Sequence, residues 1–301
     1  MDLSTSIASI KLENPTILAS GILDETSGSM LRALDNGAAA VVTKSIGVNP
    51  RMGHPNPSVI ELEYGLLNAI GLSNPGIDEY GEEIKEVKEE GGIVIGSIFG
   101  GTTKEFTMLA ERMQIYGVDA IELNLSCPHA KGYGLEVGQD EKLVRRIVSE
   151  VKNIVKIPVF AKLSPNLTDI VPVAKSAVDG GADGIVAINT VKAMSIDVEI
   201  GKPVLGNKIG GYSGKGIKPI GVRCVYEIAS EISVPIIGVG GITNGLDALE
   251  YIMAGASAVE IGTGVYYHGY SIFRKICDEI KTWMRNHGYN KLEELVGVAH
   301  R

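Results

Sequence analysis

Eight short runs of apolar, largely β-branched residues punctuate the chain. They read PTILAS (15–20), AAVVTKS (39–45), GIVIGSIFG (92–100), AIELNLSC (120–127), PVFAKLSP (158–165), GIVAINTV (184–191), PIIGVGGI (235–242) and AVEIGTGV (258–265). Most are apolar along their whole length rather than alternating, the pattern of parallel strands buried on both faces. Between them lie amphipathic stretches of helical length, such as 140–154, 169–179 and 220–231. Asp140 and Glu141 open the first of these, where negative charge suits the helix dipole. Eight strand–helix alternations predict an α/β fold of one domain over residues 1–301, a (β/α)8 TIM barrel rather than an open sheet.

Two connections exceed the usual βα loop length, one after the second strand (46 to about 76) and one after the sixth (192 to about 218). Both leave the C-terminal face, where barrels of this type carry their active sites, so both are expected to form a lid or substrate pocket. The first eleven residues are expected to form a hairpin closing the opposite end.

Polar residues interrupt the apolar runs at one recurrent place, the C-terminal end of the strands: Ser20, Lys44, Ser97, Asn124, Cys127, Lys162 and Asn189. Singly, each has an unremarkable reading as a rim lysine, a turn-capping amide or an inert buried thiol. Gathered on one face of one barrel they describe a site. Gly240 and Gly241 after strand seven, with Gly262 and Thr263 after strand eight, stand where barrels often bind phosphate through backbone amides. GGYSGKG (210–216) is not a P-loop: Ile209 occupies the place of its first glycine, and Gly216 that of the Ser/Thr after Lys. No GxGxxG follows the first strand. A mononucleotide such as FMN therefore fits better than a dinucleotide, with Lys162 supplying positive charge near the flavin's pyrimidine edge.

Composition narrows the partners. Of 301 residues, 45% are hydrophobic and only 5% aromatic, so the core is aliphatic. A net charge of −8 without a basic run argues against nucleic acid or an anionic membrane as partner. There is no apolar run long enough to span a bilayer and no signal-peptide pattern, which points to a cytoplasmic enzyme. Three cysteines (Cys127, Cys224, Cys277) are too few to hold an iron–sulfur cluster, and five histidines show no metal spacing, so no metal site is expected.

NLSCPH (124–129), together with TKS (43–45), LLNAIGLSNPG (66–76), AKLSPN (161–166), INT (188–190), GGYSGKGIKPIGVR (210–223), GVGGI (238–242) and IGTG (261–264), resembles the dihydroorotate dehydrogenases, FMN enzymes of pyrimidine synthesis. The match runs in order over nearly the whole chain. Cys127 implies class 1, since class 2 enzymes use serine and carry an N-terminal extension. The stretches 216–223 (GIKPIGVR) and 234–263 look like the NAD-linked 1B subgroup, in which a second subunit carries FAD and a [2Fe–2S] cluster and the catalytic chain forms the homodimer core of a heterotetramer. The resemblance places substrate contacts on Lys44, Asn68, Ala69, Ile70, Gly71, Leu72, Asn124, Asn189 and Thr190. It places FMN contacts on Ser20, Lys44, Ser45, Ser97, Asn124, Lys162, Ile188, Gly214, Gly240, Gly241, Gly262 and Thr263. Two positions depart from the family: His129 stands where asparagine is usual, and Ser97 where many members have asparagine.

On this reading dihydroorotate loses a proton from C5 to Cys127 and a hydride from C6 to FMN, and becomes orotate. Lys44 pairs with the substrate carboxylate, the amides serve the pyrimidine ring, and glycine-rich residues 128–138 close over it. Two other readings compete. One is a related FMN barrel acting on a neutral dihydropyrimidine. The other is a non-redox barrel for a phosphate-bearing ligand, including an aldolase with a Schiff base on Lys162.

Overall fold

A computed structural model describes residues 1–125 and 135–301. All eight expected strands form, at Thr16–Leu18, Ala40–Val42, Val94–Ile98, Ala120–Asn124, Val159–Leu163, Gly184–Ala187, Ile236–Val239 and Ala258–Ile261. Each lies parallel to the next in sequence, and the eighth pairs with the first, so the sheet closes into a barrel. Helices return the chain to the barrel's lower end. Their starts obey local capping chemistry: Thr102 and Glu105 form a reciprocal box, the Asp140 side chain accepts from the amides of Lys142 and Leu143, and Asn244 accepts from the amide of Asp247. Among the described residues no helix is long and apolar enough to cross a membrane.

The period of two along a strand sorts the barrel interior into levels. At the lower end Ile17, Ala40, Val42, Ile95, Ala120, Phe160, Val186, Ile237 and Ala258 pack as one apolar plug. The expected N-terminal hairpin, Thr5–Ile7 against Ile10–Leu12, seals it with Ile7, Ile10 and Leu12. Two residues further along the third, fourth, fifth and eighth strands the level turns polar, at Ser97, Glu122, Lys162 and Glu260, all buried. Above it the strands open into a cavity.

The two long connections do not form separate lids. Val59–Leu62 and Gly65–Asn68 from the first pair with Gly210–Ser213 and Val191–Ala193 from the second, in one four-stranded antiparallel sheet over the C-terminal face.

Candidate active site

A cavity of about 380 Å³ lies between the barrel mouth and this sheet. It gathers residues from every quarter of the chain: Ser20, Lys44, Ser45, Asn68, Ile70, Gly71, Leu72, Asn124, Lys162, Ile188, Asn189, Thr190, Gly214, Gly240, Gly241, Gly262 and Thr263 all line it. Two residues expected there do not. In the strand Gly65–Asn68 and its continuation, Leu66, Asn68 and Ile70 face the cavity, so Ala69 turns the other way and packs with Leu67 and Leu205. Ser97 lies one level too deep: fully buried, it exchanges a 2.8 Å hydrogen bond with Ser45 and donates to Glu122 at 2.9 Å. Cys127 and His129 fall outside the described residues, as does most of the 128–138 segment.

The cavity has two chemically distinct ends. At one, Lys44 projects from the end of the second strand beside Asn68, Asn124 and Asn189. The Asn68 side chain donates to the Gly211 carbonyl at 3.2 Å, which fixes the amide from the lid sheet. Asn124 donates to Ser45 Oγ at 3.0 Å, and Asn189 donates to Asn124 Oδ1 at 3.4 Å. Asn189, Asn124 and Ser45 thus form a chain, and Asn68 is oriented separately by the lid sheet. Beneath Lys44, burial raises the pKa of the Asp24 carboxyl while the lysine charge opposes the rise. Among the described residues no carboxylate lies within ion-pairing distance of the Lys44 ammonium. That charge is available to an anionic ligand.

At the other end the wall is backbone. Gly240 and Gly241 adopt φ values of +125° and +74°, a region that side-chain-bearing residues rarely enter. A β-carbon on Gly241 would fall 2.8 Å from the Gly214 carbonyl and 2.8 Å from Lys218 Cβ. Glycine therefore lets the loops after strands six and seven meet. Thr263 Oγ1 donates to Ser213 Oγ at 2.7 Å and ties the loop after strand eight to the lid sheet. Tyr251, from the following helix, donates to the Gly240 carbonyl at 2.7 Å and braces the turn from behind. Lys44 and Lys162, both at strand ends, are the cationic residues lining the cavity among those described. A backbone cradle of this kind fits a phosphate held by amides, and with the pocket above it fits FMN.

Lys162 lines the cavity and rests on two buried carboxylates. Its ammonium lies 2.9 Å from Glu260 and 3.2 Å from Glu122, both fully enclosed. Burial alone would lower the lysine pKa, but the two carboxylates more than reverse it, so the amine stays protonated. A Schiff-base lysine needs a free amine, which removes support for an aldolase. Neither glutamate stood out in the sequence. The signal was present: in AIELN and AVEIG each acid is two residues before a cavity residue, Asn124 or Gly262, and so shares its inward face. Ile22, Val59, Leu66, Ser213, Ile217 and Tyr266 also line the cavity.

The two other cysteines are unsuited to proton transfer. Cys224 and Cys277 are buried outside the cavity, and burial pushes both thiols up, that of Cys277 to about 11.

Comparison with known proteins agrees with this geometry. The family model described as dihydroorotate dehydrogenase matches residues 2–284. A protein of Methanocaldococcus jannaschii named dihydroorotate dehydrogenase B (NAD(+)), catalytic subunit, is 54% identical, the alignment covering 99% of this chain and 98% of that one. A protein of the same name from Thermoplasma volcanium is 56% identical with the same coverage. In three dimensions the chain is similar to a crystal structure of the Eimeria tenella DHODH in complex with ferulenol, with a TM-score of 0.87 at 24% identity over 99% of this chain and 89% of that one, a likeness of fold.

Proposed function

The chain belongs to the dihydroorotate dehydrogenase family, and on that premise we propose that it oxidises dihydroorotate to orotate in pyrimidine biosynthesis with FMN bound in the barrel mouth. The observation that carries the reading is one cavity that brings together a lysine paired with no carboxylate among the described residues, three side-chain amides and a glycine-built phosphate cradle. The lysine selects an acid, the amides complement a ring carrying both donors and acceptors, and the cradle takes a nucleotide phosphate.

In this site Lys44 binds the substrate carboxylate and orients the ring. Asn68, Asn124 and Asn189 hold it in plane, and Gly71 and Leu72 close one side. Cys127 accepts the C5 proton; Ser20, Ser45, Ile188, Gly214, Gly240, Gly241, Gly262 and Thr263 hold FMN, which when bound supplies the acceptor for the C6 hydride. Electrons then leave through a partner subunit to NAD. The relatives' name, catalytic subunit, supports a partner; on that partner a [2Fe–2S] cluster, which the three cysteines of this chain are too few to ligate, and FAD would carry the electrons. A homodimer within a heterotetramer completes this assembly.

Anaerobic mixing of the flavin-loaded protein with dihydroorotate tests the reading. Bleaching of the flavin by dihydroorotate, much slower bleaching in Cys127→Ser at neutral pH, and none with dihydrouracil are expected. Equal turnover of dihydrouracil would favour the neutral-substrate alternative, and a protein unable to take up flavin would end the redox reading.

A further inference from the structure

Below the cavity, three charged side chains meet inside the barrel. Lys162 lines the cavity floor, and Glu122 and Glu260 lie beneath it with no exposed side-chain surface. Their surroundings differ. Glu122 Oε1 accepts from Ser97 Oγ at 2.9 Å as well as lying 3.4 Å from the lysine. Glu260 places Oε2 on the ammonium at 2.9 Å, while its buried Oε1 has no hydrogen-bond partner among the described residues.

One ammonium cannot balance two carboxylates. A buried net negative charge is costly, and two acids sharing one site relieve it when one of them keeps a proton. Glu260 is the member with a vacant oxygen to receive it. In register with Glu260 the flanking seventh and first strands carry the apolar Val239 and Ile17, so Glu122 and Lys162 are the charged groups facing Glu260 among the described residues. Burial and the charge of Glu122 both push the Glu260 carboxyl well above the usual carboxylate range, against the pull of Lys162.

We infer that Glu260 is a positioning residue for the flavin, holding Lys162 from below and taking up a proton on Oε1 when the ring above becomes negatively charged. The inference rests on the FMN reading. Reduction by two electrons and one proton leaves the flavin with one negative charge. A second proton, drawn from solvent, forms the O–H bond on Glu260 and neutralises that carboxylate. The Lys162 charge, no longer matched twice from below, then faces the reduced ring. The second uptake occurs only where Glu260 is ionised in the oxidised protein, toward the alkaline side.

The midpoint potential of the bound flavin, measured against reference dyes from about pH 6 to 10, reads the number of protons taken up per two electrons. In the wild type the slope should steepen on the alkaline side to two protons. In Glu260→Gln, which keeps the shape but cannot ionise, it should remain at one. Glu122→Gln leaves one carboxylate for one ammonium and removes the second cause of the shift while burial remains, so the steepening should move to lower pH than in the wild type; it carries the test if the first variant fails to hold flavin. Slopes that match the wild type in both variants overturn the inference alone. A protein that takes up no flavin overturns both this inference and the FMN reading, so the two failures are distinguishable.

Discussion

Gly65 and Ser213, nearly 150 residues apart, approach so closely that a β-carbon on Gly65 would lie 1.9 Å from the Ser213 carbonyl oxygen. This contact joins the two long connections, because Leu66 pairs with Ser213 and Asn68 with Gly211 in the same ladder. Gly65→Ala should therefore part the lid sheet without disturbing the barrel beneath. The expected outcome is a dihydroorotate KM raised on the order of tenfold, equivalent to about 1.4 kcal/mol, with the FMN content unchanged. Steady-state kinetics beside flavin absorbance checks it.

Lys44 is the cavity cation that no described carboxylate consumes. A hydrogen bond to a charged group contributes about 1.5–3 kcal/mol, so Lys44→Gln should lower kcat/KM for dihydroorotate by roughly 10- to 150-fold. A substrate analogue lacking the carboxylate should lose no more in the variant than in the wild type. Equal losses for both compounds would remove the carboxylate from the role of Lys44.

At the phosphate end, Gly241→Ala must push back the Gly214 carbonyl or the Lys218 backbone, since neither is a flexible chain end. FMN dissociation should accelerate by on the order of tenfold or more, about 1.4 kcal/mol. Tyr251→Phe, which removes only the hydroxyl bracing Gly240, should have a smaller effect in the same direction. Flavin fluorescence recovery on dilution measures both.

What could be read from the sequence follows the range of each signal. The eight strands and their helices were legible because parallel strands are apolar throughout and caps are local. The cavity was legible because polar residues stop those runs on one side of the barrel. The family pattern runs through contiguous residues and so includes Ala69 and Ser97, whereas a strand exposes alternate residues and the barrel adds depth. The joining of the two long connections had no local signal, since Asn68 and Gly211 lie too far apart for any window to pair them. Glu122 and Glu260 sat in apolar strands with the correct parity, but nothing in either strand says that they share Lys162 from a third.

Cys127 is proposed as the base, and a thiol acts as one only when ionised. With an ordinary thiol pKa of about 8.5, only a few per cent is thiolate at neutral pH. The rate of flavin reduction by dihydroorotate should therefore rise with pH and level off above roughly pH 9. Cys127→Ala should lower it by about 10²- to 10⁴-fold, the usual contribution of a positioned base. A flat profile in single-turnover experiments, where product release does not interfere, would exclude the thiol.

The Glu260 carboxyl also couples stability to pH. Its folded-state pKa is raised above the unfolded value, first by burial and then by Glu122. The folded protein thus binds the proton more tightly, and this contribution is fully present below the unfolded pKa and lost as pH rises through the folded one. Lys162 does not titrate in this range, because its own pKa is raised. Compared with Glu260→Gln, the wild type should lose stability steadily from about pH 5 toward the alkaline side, by up to about 1.4 kcal/mol per pH unit. Urea unfolding of the two proteins across this range measures the difference. A difference that grew in the opposite direction would mean that Glu260 is held ionised, with Lys162 alone deciding its charge.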